Sequence, residues 1–174
     1  MTWPAPVVAL LCAALGAALT AALAGPVLRR LPEPDDPDGK PPYRSLATPA
    51  FAATVGACSL VASLAVTAWT PAHHWPAWAA LTTCAMLAAC VDARTTWLPL
   101  PLAWAGWSVA AVGTGVAAVA ASDPLLIARA GLGALALGGF FHVVWRLSAA
   151  VGYGDVRLMA TVGAVTALDS AGLV

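Results

Sequence analysis

Long apolar segments separated by short polar breaks dominate this chain. A helix that crosses a bilayer needs about 20 mostly apolar residues. A window of that length predicts five spans and a sixth apolar run beginning near Val156. Pro, Gly and charged residues mark the breaks between them. The predicted spans are 5–28, 46–70, 76–92, 100–121 and 124–147.

The pattern therefore predicts an all-α, polytopic transmembrane helical bundle of about six spans, with residues 1–174 forming a single membrane-embedded domain. The sixth run holds only about 13 apolar residues before Asp169, fewer than a full crossing requires. We expect this last span to be short or truncated.

Composition supports the membrane assignment. The chain is 61% hydrophobic and 9% charged, whereas soluble domains carry about 25% charged residues. The formal net charge is zero, so nothing indicates a nucleic-acid partner. No basic residue precedes the first apolar run, which favours a retained first span over a cleaved signal peptide. The four cysteines lie in apolar stretches without a CxxC motif, so neither a zinc site nor a disulfide framework is expected.

The distribution of Lys and Arg predicts the orientation. Seven of the eight basic residues fall near the first, third and fifth connections, which the positive-inside rule places in the cytoplasm. The N-terminus then faces outside. The first connection, residues 29–45, is rich in Pro and Asp and is predicted to be a flexible cytoplasmic loop. The seven basic residues are Arg29, Arg30, Lys40, Arg44, Arg94, Arg146 and Arg157.

Two acidic residues lie next to apolar spans on this predicted cytoplasmic side. Asp92 closes the third span and Asp155 opens the sixth. The two intervening spans carry the chain out and back, so both carboxylates should lie at the same membrane face. An acid at membrane depth costs several kcal/mol unless it is neutralised or faces a wet cavity, so both are candidates for function.

Paired carboxyl groups share a proton, and this is the chemistry of aspartyl proteases. One carboxylate activates water and the other donates a hydrogen bond to the peptide carbonyl. Asp155 follows Gly152 and Gly154 and starts a predicted helix. We expect these glycines to adopt backbone conformations forbidden to other residues and to admit a substrate strand. Pro99, after the polar turn that follows Asp92, starts the next helix.

Together, Asp92 with Pro99, and Gly152-Tyr153-Gly154-Asp155, resemble the type IV prepilin peptidase family of GxGD membrane aspartyl proteases. The resemblance covers about 80 residues, from Asp92 to the C-terminus, and the first two spans match the family only in general character. It implies that Asp92 and Asp155 are catalytic and that no metal or cofactor is needed. It also implies a bacterial cytoplasmic membrane and a prepilin or pseudopilin substrate of type IV pilus assembly or protein secretion.

Three features depart from that family. The chain lacks the cysteine-rich cytoplasmic domain of many members, so their N-methyltransferase activity is not expected. Leu100 stands where the family commonly has Asn after the proline. Finally, a further helix of the family is expected to be missing after the short sixth run.

Other assignments stay open. A presenilin-like protease cutting inside a membrane helix, a proton-coupled transporter and a catalytically inactive scaffold would each place acids at this depth. Arg94 and Arg157 are predicted topology anchors. His73 and His74 are expected at the outer interface, and His142 beside a backbone group. Oligomeric state and the particular prepilin are not predicted.

Overall fold

The computed structural model describes residues 5–33, 39–148 and 151–169. Over those ranges the chain folds as a bundle of six helices, which confirms the predicted all-α class. The first five are long and apolar enough to cross a membrane. The helices are α1 (Ala5–Leu28), α2 (Pro49–Trp69), α3 (Ala72–Thr95), α4 (Leu100–Ala121), α5 (Leu125–Leu147) and α6 (Tyr153–Thr166).

The outer surface of the bundle is apolar. Large hydrophobic side chains are exposed along α1, α2, α4 and α5, as expected where helices contact lipid rather than water. This pattern agrees with a multi-pass membrane protein. Examples are Leu15, Val61, Val112, Leu135 and Phe140.

Helix α2 begins later than predicted. Thr48 caps it, because its Oγ1 accepts a hydrogen bond from the Phe51 backbone N–H at 3.2 Å, and Pro49 occupies the first turn. Both are favoured at a helix start. The preceding residues instead form a separate short 3-10 helix, Tyr43–Leu46.

Helix α3 is longer than the predicted span 76–92. It starts with a 3-10 turn, contains a π-helical segment at Ala80–Ala85, and runs on to Thr95. Pro76 lies in the first turn of its α-helical part, where proline is tolerated. The π segment contacts α1, α2, α4 and α6, so α3 lies in the middle of the bundle.

Close backbone contact joins α5 to α6. A β-carbon added at Gly133 would overlap the carbonyl oxygen of Gly163, and the reverse also holds. Because neither residue has a side chain, the two helices approach more closely than larger residues would permit. Gly131, two residues earlier on α5, faces open space instead.

Helix α6 is helical over only 14 residues, yet it connects both ends of the bundle. Its first turn packs against Leu98, in the turn between α3 and α4. Beyond its last turn, Asp169 bonds to His74 and Trp78 at the start of α3. The sixth run is therefore short, as predicted, but it reaches across the bundle. We call the two ends the aspartate end, where Asp92 lies, and the opposite end, where His74 lies.

Candidate functional site

Asp92 lies on the last turns of α3, and the end of that helix is fixed by local hydrogen bonds. The buried Thr95 Oγ1 donates to the Val91 carbonyl at 3.0 Å and accepts from the Trp97 backbone N–H at 3.2 Å. Thr96 then adopts a left-handed conformation with φ 55°, which ends the helix. This turn directs the chain to Pro99, which caps α4.

Asp155 lies in the first turn of α6 and also caps it. Its Oδ2 accepts a hydrogen bond from the Gly152 backbone N–H at 3.0 Å, and its own N–H donates to the Gly152 carbonyl at 3.1 Å. A carboxylate at a helix start is further favoured by the helix dipole. Within the described residues, Oδ1 accepts no hydrogen bond, so one oxygen stays available for chemistry.

The glycines before Asp155 act differently from the sequence-based expectation. Gly152 has φ −79° and ψ 156°, and Gly154 is helical, so neither adopts a conformation reserved for glycine. That expectation is wrong. Instead, a β-carbon at Gly154 would lie 2.6 Å from the β-carbon of Leu98. Gly154 is needed because α6 begins directly against the turn that follows α3.

This contact brings the two predicted aspartates into one pocket of about 380 Å³ at the aspartate end. Both side chains are half-buried. The charges of Asp155 and Lys40 act on the Asp92 carboxylate with opposite signs. Neither aspartate forms an ion pair with any residue that the structure describes. The pocket is lined by Pro32, Tyr43, Asp92, Thr96, Trp97, Leu98, Pro99, Leu100, Pro101, Gly152, Tyr153, Gly154 and Asp155.

A segment that sequence reasoning treated as solvated loop forms part of this site. Residues 39–46, which we call the strap, lie beside the pocket, whereas residues 34–38 lie outside the described part of the chain. Glu33 holds the strap by accepting hydrogen bonds from the backbone N–H groups of Tyr43, at 2.9 Å, and Arg44, at 3.2 Å. The Lys40 ammonium stands 4.7 Å from the centre of the Trp97 ring.

Tyr43 is the residue of the strap that enters the core. Its side chain is 3% exposed, and its ring meets Trp97 edge-on with centroids 6.4 Å apart. Burial raises the pKa of the Tyr43 phenol, and the nearby charges of Glu33 and Asp92 raise it further. One clue was available in the sequence, since Tyr43 is the sole aromatic residue between positions 29 and 45.

The remaining candidate residues lie outside the pocket. Arg94 is exposed. Arg157 stacks over the Tyr153 ring at 4.7 Å. His142 packs against Trp145 and Tyr153, with ring centroids 5.4 Å and 6.0 Å away, rather than against a backbone group.

At the opposite end, His74 is buried within the bundle. Its Nδ1 lies 2.6 Å from Asp169 Oδ1, and Trp78 Nε1 donates to Asp169 Oδ2 at 2.7 Å. No sequence pattern linked these residues, because they are far apart along the chain. In the part of the chain that the structure describes, no cluster of three His, Cys, Asp or Glu side chains could hold a metal ion.

Fold and site together define a multi-pass helical membrane protein with two carboxyl groups in one pocket at a bundle end. Comparison with family models, with curated proteins and with solved structures finds no match to the chain. Any proposal about function therefore depends on the motifs around Asp92 and Asp155 and on the geometry of their pocket.

Proposed function

We propose that this protein is an aspartyl endopeptidase that removes the leader peptide of a prepilin-like or pseudopilin substrate at the cytoplasmic membrane face. The observation that carries the proposal is the single pocket lined by Asp92 and Asp155. The two carboxyl groups are the only acidic groups among the lining residues, beside the hydroxyls of Tyr43, Thr96 and Tyr153. The GxGD-type motif supports the choice of substrate.

The proposed reaction needs only water and the two carboxyl groups. Neighbouring carboxyl groups hold one proton between them near neutral pH. The ionised group takes a proton from water while the water oxygen bonds to the scissile carbonyl carbon. The protonated group donates a hydrogen bond to the carbonyl oxygen. When the carbon–nitrogen bond breaks, a carboxyl group returns a proton to the leaving nitrogen.

The position of the pocket favours cleavage beside a membrane helix rather than within one. Asp92 lies on the last turns of α3, and Asp155 lies on the first turn of α6. An extended peptide can reach this bundle end while its apolar helix remains in lipid. The basic residues flanking the same end support a cytoplasmic orientation. These features favour leader cleavage over a presenilin-like cut inside a helix.

A proton-coupled transporter receives less support. A proton relay uses ionisable groups distributed through the membrane. Among the described residues, the acidic side chains stand at helix ends or in connections, so none of them lies in the middle of the bundle. An inactive scaffold would gain nothing from two carboxyl groups in one pocket, where each disfavours the ionised form of the other.

Cleavage of a prepilin by the purified protein tests the proposal directly. The protein in detergent micelles is mixed with a synthetic prepilin segment containing a leader and the start of the apolar helix, and products are identified by mass. We expect one cut immediately before the apolar helix. Asp92→Asn and Asp155→Asn should each abolish it. Asn at position 155 keeps an oxygen that can accept the Gly152 N–H, so the helix cap should survive.

Asp123→Asn is the matched control, because Asp123 is also an acid at a helix start and caps α5 through the Leu125 N–H at 3.0 Å. It is remote from the pocket and should leave cleavage intact. Gel filtration verifies that all three variants remain folded. Cleavage that persists in either pocket variant, or proton flux into liposomes without cleavage by the parent protein, overturns the proposal.

A further inference from the structure

The strap places one more functional group in the pocket. Tyr43 lines the same pocket as Asp92 and Asp155, although it comes from the connection between α1 and α2. Three features fix its position. Its backbone N–H donates a hydrogen bond to the Glu33 carboxylate, its ring packs edge-on against Trp97, and its backbone belongs to the 3-10 helix Tyr43–Leu46. The ring is therefore held in place before any substrate binds.

Tyr43 as a whole is only 3% exposed, but its hydroxyl oxygen is not sealed inside the protein. Among the described residues, Ser59 Oγ alone is both buried and without a hydrogen-bond partner. The Tyr43 hydroxyl forms no hydrogen bond within those residues, so its oxygen meets accessible space, and Tyr43 lines the pocket. An unpaired donor beside two carboxyl groups is unexpected for a residue that serves packing alone, since a phenylalanine would fill the same volume.

The protonation state of this group suits a donor. Burial and two negative neighbours raise the pKa of Tyr43 above its ordinary value of about 10. The phenol therefore remains an O–H group throughout the neutral range. It cannot act as a base there, but it can donate a hydrogen bond to an oxygen that becomes negative.

We propose that Tyr43 is a further catalytic residue whose hydroxyl donates a hydrogen bond to the scissile carbonyl oxygen of the bound peptide. This inference rests on the proposed peptidase function. As water adds to the carbonyl carbon, negative charge develops on that oxygen, and a donor already held in position stabilises it. The protonated aspartate supplies one donor and Tyr43 supplies the second.

Tyr43→Phe tests the proposal because it removes the oxygen and keeps the ring against Trp97. Removal of one such donor lowers kcat by about 10²–10³-fold in enzymes that rely on it. We expect kcat for prepilin cleavage to fall at least about tenfold, with KM changed less than about twofold. Binding of a leader peptide with a difluorostatone at the cleavage site, whose hydrated ketone carries both oxygens of the tetrahedral intermediate, should weaken in parallel.

Ser45→Ala is the matched control. Ser45 lies in the same 3-10 helix, and its hydroxyl donates to the Pro42 carbonyl at 2.7 Å, but it does not line the pocket. This variant loses a hydroxyl from the strap and should keep both kcat and KM. Equal losses in both variants would mean that the strap needs its hydroxyls only for folding, and the inference would be wrong.

Other outcomes separate the two proposals. If the parent protein cleaves prepilin and Asp92→Asn does not, the peptidase function stands and Tyr43→Phe judges the inference alone. The inference is wrong if Tyr43→Phe leaves kcat unchanged or raises only KM. It is also wrong if the variant shifts the pH profile but keeps the maximal kcat, because Tyr43 would then act on an aspartate. If the parent protein cleaves nothing, both proposals fail together.

Discussion

Gly154 and Leu98 are in direct contact, and this contact sets the distance between the two halves of the candidate site. A β-carbon at Gly154 would lie 2.6 Å from the β-carbon of Leu98 and 3.1 Å from its Cδ1. The Leu98 β-carbon cannot rotate away, because its position is fixed by the backbone. A side chain at position 154 must therefore move α6 or the turn before Pro99, and Asp155 moves with it.

Gly154→Ala should consequently destabilise the protein by about 1–3 kcal/mol, the usual cost of overpacking, and reduce prepilin cleavage. The measurement is the thermal unfolding midpoint in detergent together with the cleavage rate. Leu98→Ala introduced in the same chain should recover part of both losses, since it removes the outer atoms of the clashing side chain. Gly152→Ala provides the stability comparison, because its β-carbon would meet no atom closer than 3.6 Å. Equal stability of the two alanine variants would contradict this account.

The crossing of α5 and α6 provides a second prediction. Gly163→Ala places a β-carbon against the Gly133 carbonyl oxygen, and backbone cannot yield as a flexible side chain does. We expect the free energy of unfolding to fall by more than about 2 kcal/mol. Gly131→Ala should leave stability unchanged or slightly raised, because that position is open. Denaturation by SDS in mixed micelles would measure both, and a Gly163→Ala variant as stable as the parent would disprove the close crossing.

His74 and Asp169 should stabilise the opposite end. Their 2.6 Å contact involves side chains that are 7% and 25% exposed, and hydrogen bonds to charged groups contribute about 1.5–3 kcal/mol. A double-mutant cycle with His74→Ala and Asp169→Asn should give a coupling energy in that range. The Arg129–Asp123 pair, 3.6 Å apart and more exposed, should give less than about 1 kcal/mol. A smaller coupling for His74 and Asp169 than for this reference pair would rule out the proposed role.

Alkaline pH should loosen the strap. The pKa of Tyr43 is raised in the folded state, so folding favours the protonated phenol. The associated stability is fully present below the unfolded-state pKa of about 10 and is lost as pH rises through the higher folded-state pKa. The thermal unfolding temperature should therefore decrease as the pH is raised beyond about 10, and this decrease should be smaller in Tyr43→Phe. Absorbance near 295 nm follows the ionisation of the two tyrosines.

Glu33→Gln gives the complementary test. It removes one of the charges that raise the pKa of Tyr43 while keeping an oxygen that can accept the Tyr43 N–H. We expect the phenol to ionise at lower pH than in the parent protein. An unchanged titration curve would show that Glu33 does not act on Tyr43 electrostatically.

Much of the fold followed from local pattern. The spans predicted at 5–28, 100–121 and 124–147 match α1, α4 and α5 to within a residue, because hydrophobic length and proline position define membrane helices with little help from tertiary contacts. The predicted start of α2 and the predicted ends of α3 were less accurate. Those boundaries depend on the cap at Thr48, the 3-10 and π turns of α3, and the left-handed Thr96.

The sequence by itself determined the helical bundle with its apolar spans and predicted Asp92 and Asp155 at the same end of it, since both follow from counting apolar residues between charges. Only the tertiary structure decided which groups share their pocket. The burial of Tyr43, the Gly154–Leu98 contact and the bonding of His74 to Asp169 join residues from separate elements. Such contacts depend on how helices pack in three dimensions, and no local periodicity encodes that packing.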